Sequence, residues 1–135
     1  MALNTRVKYE IALSVFEPGC VWISGPHRGG KHDLTIFKQG LAKKIKNGKR
    51  VIADGGYKSK NSVLSTPNYD DSKELANFKS RARLRQEIFN GHLKFFSILS
   101  NAFRHSIDQH KLALEAVCVT VQYQMDCGSP MFDVQ

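Results

Sequence analysis

The sequence is poor in residues that cross-link a chain or anchor it in a bilayer. Its three cysteines, Cys20, Cys118 and Cys127, are odd in number and widely spaced, so no CxxC pair indicates a zinc site or a redox motif. No apolar run approaches the roughly 20 residues that span a membrane, and the N-terminus lacks the apolar core of a signal peptide. These absences predict a soluble cytoplasmic or nuclear protein with reduced thiols and no membrane partner.

Acidic residues are scarce beside basic ones. Twelve Asp and Glu stand against 20 Lys and Arg, which gives a formal net charge of +8. Such a charge attracts polyanions through counterion release and long-range attraction, so nucleic acid is the leading candidate partner. Because charge also serves plain solubility, it indicates a partner only where a site accompanies it.

The length and the apolar content predict one folded domain over residues 1–135. A chain of this size buries roughly two-thirds of the surface that its unfolded form exposes. The hydrophobic fraction of 41% and the charged fraction of 24% lie near the averages of globular proteins.

The N-terminal half alternates between strand and helix signals. Apolar residues alternate with mostly polar ones over residues 6–15, and residues 20–24 are rich in β-forming side chains, which together predict a hairpin closed by a turn at 17–19. The glycines and proline of residues 25–31 predict a loop. A helix should follow, capped by Asp33 and running to about Ile45.

The C-terminal half predicts a short buried strand at residues 50–53 and then a polar loop over 55–79 with a second short strand at 62–66. A helix should run from Ser80 to about Asn101, with one stripe formed by Leu84, Ile88, Gly91 or His92, Phe95, Phe96 and Leu99. A last helix is predicted over residues 110–125, with Leu112, Ala113, Ala116, Val117 and Thr120 on one face. The β-propensity of its end leaves a strand there as an alternative.

The strand at residues 50–53 ends in a carboxylate. Asp54 follows it directly and is followed by Gly55 and Gly56. A strand end is where α/β folds build sites, and two glycines let a divalent ion or a phosphate approach the backbone closely. The alternative is an ordinary Asp-Gly turn.

The long helix carries a polar stripe as well as its apolar one. Arg83, Glu87, Asn90 and Lys94 recur at spacings of four, three and four, which places them on one helical face. Alone, Glu87 would be interpreted as a solvated ion pair. A strand-end Asp, a later helical Glu and a basic chain together favour a site.

Five blocks in order, YEIALSV, VWISGP, HDLTIF, VIADGGY and RARLRQEIFNGHLKFF, together with the closing GSPMFDV, resemble the DDE superfamily endonucleases of Harbinger-type transposases and their IS5-like bacterial relatives. In that family the strand-end motif is approximately GDxGY and the helix approximately RxxxExxFGxLKxxF. No single block would suffice, so the specificity lies in their order.

The resemblance implies an α/β, RNase H-like mixed sheet flanked by helices, with a two-metal nuclease site. Asp54 matches the family's second carboxylate and Glu87 the third, and Asp33 matches a further acidic position that is compatible with a helix cap. Such acids hold two Mg²⁺ or Mn²⁺ ions roughly 3.5 to 4 Å apart. The implied activity is metal-dependent cleavage and strand transfer on DNA.

One family feature has no match. The first carboxylate normally lies on a central strand before YEIALSV, so the domain is predicted to be truncated at its N-terminus, and Glu10 on the next strand cannot be assumed to replace it. Loss of that strand leaves edges unpaired. Three outcomes would follow from this loss: the hairpin pairs directly with the Asp54 strand, a second copy supplies a strand in a dimer, or the native protein is longer.

The sequence therefore predicts a transposase-derived DDE nuclease domain that is impaired within this chain. The alternative is a noncatalytic DNA- or protein-binding module from a domesticated or decayed transposase. A third hypothesis places the function in assembly with a DNA-binding partner protein. DNA contacts are predicted at the basic residues near the two acids: Lys58, Lys60, Arg81, Arg83 and Lys94. No helix-turn-helix or zinc-finger pattern indicates a recognised DNA sequence.

Overall fold

The structure, a computed structural model, describes residues 2–4, 7–17, 19–57, 63–128 and 130–134. The fold is mixed α/β, as predicted. Its strands are β1 (Ala2–Asn4), β2 (Val7–Leu13), β3 (Cys20–Arg28), β4 (Val51–Ile52) and β5 (Leu64–Ser65). Its helices are α1 (Asp33–Gln39), α2 (Lys73–Lys94), α3 (Ser97–Ser100) and α4 (Ile107–Cys127), with short 3-10 turns at Leu41–Lys43 and Gly55–Tyr57.

The predicted hairpin is present, but its second strand is longer than expected. β2 and β3 pair antiparallel, and β3 continues to Arg28 through residues that were predicted to be a loop. Gly25 makes this continuation possible. It has φ +140°, and a Cβ at this position would lie 2.6 Å from Cδ1 of Tyr9. Only glycine allows so close an approach with that backbone conformation, so the strand continues past Pro26 where the breaker residues predicted a stop.

The described strands form two small sheets. β1, β2 and β3 make an antiparallel sheet, while β4 pairs parallel with β5, Val51 opposite Leu64 and Ile52 opposite Ser65. Both short strands were predicted, although Ser62 lies outside the described residues. Among the residues described, β4 is not hydrogen-bonded to the hairpin, so direct pairing of the hairpin with the Asp54 strand is not the arrangement adopted.

Helix α1 is shorter than predicted, and Asp33 is not its cap. His32 occupies the N-cap position and Asp33 is the first helical residue. The carboxylate of Asp33 instead lies 3.0 Å from Nζ of Lys8. An acid in the first turn still complements the helix dipole. The helix ends at Gln39 because Gly40 leaves the helical conformation, with φ −114° and ψ −94°.

Helix α2 begins seven residues earlier than predicted, at Lys73. Ser72 caps it, because its side chain accepts a hydrogen bond from the backbone N–H of Leu75 at 3.2 Å. A serine that satisfies an otherwise unpaired amide of the first turn is a strong start signal. The segment that was predicted to be a loop therefore supplies two additional turns of helix.

The buried face of α2 is not the predicted apolar stripe. Its buried residues are Lys79, Arg85, Phe89 and Leu93, whereas Leu84 is 49% exposed and Phe95 85% exposed. The stripe was inferred from apolar side chains alone. Two cations occupy inward positions because they form hydrogen bonds there, and this rotates the true buried face away from Leu84.

The last helix replaces the alternative of a terminal strand. Helix α2 ends at Lys94, α3 is a separate turn, and α4 extends unbroken to Cys127 from a capping box formed by Ser106 and Gln109. The buried face of α4 consists of His110, Leu114, Val117, Cys118, Val121 and Met125. Val117 was predicted correctly, but Leu112, Ala116 and Thr120 face solvent.

No helix in the described part of the chain is long and apolar enough to cross a membrane.

The core lies where the hairpin, α2 and α4 meet. Tyr9, Phe89, Leu93, Leu99, Leu114 and Val121 are each fully buried there. Burying a large apolar side chain stabilises a fold by about 1.5 to 3 kcal/mol. These contacts therefore fix α2 against the sheet and set the direction in which its polar residues point.

Candidate active site and the groove beside it

Asp54 lies at the carboxyl end of β4, immediately before the Gly55–Tyr57 turn. Its Oδ1 accepts a hydrogen bond from the backbone N–H of Gly56 at 2.9 Å. A Cβ on Gly56 would lie 3.1 Å from that same oxygen, so a larger residue there would press against the Asp54 carboxylate. The ordinary Asp-Gly turn is thus real. It also leaves the side chain of Asp54 exposed at a strand end.

Tyr57 holds this turn against the protein. Its ring meets Phe37 of α1 edge-on, with centroids 6.3 Å apart and an interplanar angle of 85°. Burial raises the pKa of Tyr57 well above its ordinary value, and the negative charges of Asp33, Glu10 and Asp54 raise it further. Three carboxylates from three separate elements therefore act on one phenol. Sequence reasoning assigned no role to this tyrosine.

Glu10 is the least expected of these acids because it is 8% exposed. Its Oε1 accepts a hydrogen bond from Nε1 of Trp22 on the neighbouring strand at 3.0 Å. Burial raises the pKa of Glu10 and the negative charge of Asp33 adds to this, although the bond from Trp22 opposes the shift. The period-two pattern of β2 places Glu10 on the face opposite Tyr9, among the polar residues, so no sequence signal indicated its burial.

Asp33 lies on the same side of the protein as the loop after Asp54. A cavity of about 380 Å³ is bordered by Asp33, Lys8 and Gly56. The ion pair between Lys8 and Asp33 forms one of its walls. The structure thus places Asp33 near the strand end, but in a salt bridge with Lys8.

Glu87 lies on the exposed side of α2. Within the described part of the chain its carboxylate has no ion pair or hydrogen bond, so the solvated pair with Arg83 or Lys94 is not formed. Helix α2 contacts β4. Arg83, four residues before Glu87, borders a groove that is also bordered by Gly55, the residue after Asp54.

The two carboxylates do not complete a metal centre. Carboxylate oxygens are the donors that Mg²⁺ prefers. Over the described ranges, however, no group of three or more His, Cys, Asp or Glu side chains is placed to hold a metal ion. The residues present therefore do not fit a two-metal site, and no metal-dependent step follows from their geometry.

The predicted DNA contacts differ in their availability. Arg81 donates to the backbone oxygen of Asp133 and lies over the ring of Phe132, 5.5 Å from its centroid. It is thus engaged within the chain. Lys94 is exposed at the end of α2, whereas Lys58 and Lys60 lie outside the described residues.

Two neighbouring arginines of α2 have opposite environments. Arg85 is 2% exposed and donates to the carbonyl oxygens of Ser14 and Val15, the latter at 3.1 Å. It ties α2 to the end of the hairpin and faces no solvent-borne phosphate. Arg83 borders the groove, and its buried Nε has no hydrogen-bond partner among the described residues.

These features define an α/β domain with an exposed strand-end Asp and a helical Glu beside a groove containing arginines. A family model described as DDE superfamily endonuclease matches residues 8–122, a range that includes Asp54 and Glu87. The chain therefore belongs to the DDE superfamily endonucleases. Comparison with curated proteins gave no match, and comparison with solved structures gave none either.

Proposed function

We propose that this chain is a transposase-derived, Harbinger-type DDE nuclease domain that acts on DNA and retains two of the three family carboxylates, Asp54 and Glu87. The observation that carries the proposal is the family match over residues 8–122, within which one acid ends a strand and the other lies on a helix that contacts that strand. The implied parent fold is RNase H-like, with the two small sheets as parts of one larger sheet.

The family's chemistry requires a third carboxylate. In two-metal nucleases, divalent ions activate the attacking oxygen and stabilise the leaving one. Residues 1–135 contain no Asp that we match to the first position. We therefore propose that the 135-residue chain binds Mg²⁺ or Mn²⁺ weakly and has little or no nuclease activity.

Calorimetric titration of Mn²⁺ tests whether Asp54 and Glu87 belong to one site. If they do, the wild-type chain releases a saturable binding heat that Asp54→Asn and Glu87→Gln each abolish. Glu74→Gln is the matched control, because Glu74 is also an exposed glutamate of α2 but lies in its first turn. Equal heats in all four proteins would contradict a shared site.

Nicking of supercoiled plasmid in Mg²⁺ tests the activity itself. We expect no nicking above that of the Asp54→Ala variant. Robust nicking that disappears in Asp54→Ala would overturn the proposal of an impaired domain and would require a third ligand that we have not identified.

A noncatalytic binding module is the second candidate. It is supported by the absence of an assembled three-ligand cluster in the described ranges together with the net charge of +8. Such a module would bind DNA with an affinity that falls steeply with salt while showing neither Mn²⁺ binding nor nicking. Failure to bind DNA even at low salt would exclude both candidates.

A further inference from the structure

The groove beside Asp54 is open and large. It encloses about 1200 Å³ between β4, β5, the first half of α2 and the segment after β2. We call it the β4 groove and define it by Phe16, Arg50, Ile52, Tyr69, Phe78 and Arg83, which are among its lining residues. Its chemistry is not explained by the two carboxylates, since neither Asp54 nor Glu87 lines it.

The charge of the β4 groove is positive once its internal pairs are removed. Lys79 and Asp71 both border it, but Nζ of Lys79 lies 2.9 Å from each carboxylate oxygen of Asp71, so the two charges cancel. Arg50 and Arg83 remain without an ion pair in the part of the chain that the structure describes. The free charges of the groove are therefore two guanidinium groups.

Arg83 also has an unused donor. Its Nε is buried and lacks an acceptor among the described residues, and leaving a buried donor unpaired is costly. This nitrogen is itself buried, so an anionic oxygen in the groove would be held by the other nitrogens of the Arg83 guanidinium. The planar guanidinium is well suited to phosphate, because it offers parallel donors to two oxygens at once.

The walls of the groove carry exposed aromatic rings. Phe16 is 74% exposed, and Tyr69 is fully exposed, at 105% of the reference area. Apolar surface beside them is provided by Ile52, Leu64 and Pro67. Exposed aromatic rings grouped around one groove mark an interaction surface. A ring face next to a guanidinium is the combination on which unpaired nucleobases stack.

We propose that the β4 groove binds an unpaired DNA strand, with bases stacked on Tyr69 and Phe16 and phosphates held by Arg50 and Arg83. A duplex keeps its bases stacked on each other and shows its backbone outward, so it would leave these rings unused. The inference rests on DNA being the substrate under the proposed function. A strand in the groove would pass Gly55, beside Asp54, and Arg83, one turn before Glu87.

Fluorescence anisotropy with a labelled oligodeoxythymidine of about 12 nucleotides tests this, since that length is within the range of single-strand sites. Buffer containing EDTA separates binding from any metal-dependent activity. We expect the wild-type chain to bind this strand more tightly than a duplex of the same length. Tyr69→Ala should weaken binding about tenfold, while Tyr69→Phe should retain it, because stacking needs only the ring.

Arg83→Gln should lower the slope of log affinity against log salt by about 0.7, the value for one lost phosphate contact on single strands. The matched controls lie outside the groove: Tyr123→Ala on α4, where Tyr123 is 68% exposed, and Arg104→Gln, also exposed. Both should bind as the wild type does. All the altered side chains except Arg83 are exposed, and circular dichroism of Arg83→Gln checks that it folds.

The possible results separate the groove from the proposed function. Unchanged affinity in Tyr69→Ala, or tighter binding of the duplex than of the single strand, would contradict binding of an unpaired strand in the β4 groove. Neither result would affect the DDE assignment. Single-strand binding that depends on Tyr69 supports the groove even if Mn²⁺ binding is absent. No binding of either DNA overturns both, and a dimer that Tyr69→Ala dissociates would assign the groove to a second copy instead.

Discussion

The hydroxyl of Tyr9 on β2 lies 2.9 Å from Nδ1 of His110 on α4, a residue 101 positions later. Both side chains are buried, and their rings are stacked with centroids 5.5 Å apart. Burial raises the pKa of Tyr9 to about 12, so the phenol stays protonated and its O–H donates the hydrogen bond. Burial lowers the pKa of His110, so the imidazole is neutral and accepts. This hydrogen bond links the hairpin to the last helix.

Tyr9→Phe should destabilise the protein by about 1 to 3 kcal/mol, because it leaves a buried ring nitrogen without its donor. Urea unfolding followed by circular dichroism measures the change. Tyr123→Phe, at an exposed position of α4, is the control and should leave stability unchanged. Equal stabilities of the two variants would mean that the Tyr9 hydroxyl contributes nothing.

Stability should fall as the pH drops below 6.5. The pKa of His110 in the folded protein lies below its ordinary value of 6.5, so the unfolded chain takes up a proton first and acid favours unfolding. Well above pH 6.5 the imidazole is neutral in both states and this contribution is fully present. Urea midpoints measured from pH 8 to pH 5 should show a shallower loss in His110→Gln. Burial also lowers the pKa of His27, so part of the dependence of the urea midpoint on pH should persist in His110→Gln. The same dependence in the variant and in the wild type would contradict the prediction.

Arg85→Met should destabilise the fold while Arg81→Met should do so much less. Loss of the Arg85 guanidinium leaves the carbonyl oxygens of Ser14 and Val15 without this donor, at a cost of about 1 to 3 kcal/mol. Arg81 is exposed, so water replaces its hydrogen bond. Thermal unfolding of both variants gives the comparison. A larger loss of stability in Arg81→Met than in Arg85→Met would contradict a structural role for Arg85.

Cys20 should react with iodoacetamide at lower pH than an ordinary thiol. A hydrogen bond from the Cys118 thiol lowers the pKa of Cys20 below its ordinary value, and the thiolate is the reactive form. In a Cys127→Ser background, alkylation followed by peptide mass spectrometry should show a half-maximal rate at a pH below the ordinary pKa of a thiol. Adding Cys118→Ala removes the donor and should move this midpoint upward. A midpoint that stays in place would show that Cys118 does not set the reactivity.

The candidate site was predictable because its signals are local. A short apolar run followed by Asp54 and glycines specifies a strand and a tight turn, and both are present. Placing Glu87 on a helix needed only its neighbours in sequence. The arrangement around Tyr57 was not predictable, because the charges that act on it come from Glu10 and Asp33 on other elements.

The error in the buried face of α2 has a long-range origin. Sequence periodicity treats charged residues as exposed, but Lys79 and Arg85 are buried because Asp71 and the carbonyl oxygens of Ser14 and Val15 accept their hydrogen bonds. Those acceptors are 8, 71 and 70 positions away. Only a folded chain brings such partners together.

The sequence by itself determined the family, the strand end that carries Asp54 and the helix that carries Glu87, since each depends on residues close together in the chain. Tertiary structure decided which arginine of α2 became structural and which borders the β4 groove. Arg83 and Arg85 are two positions apart, so on a helix they point in different directions. Packing of Phe89 and Leu93 against the core turns Arg85 inward and leaves Arg83 at the groove.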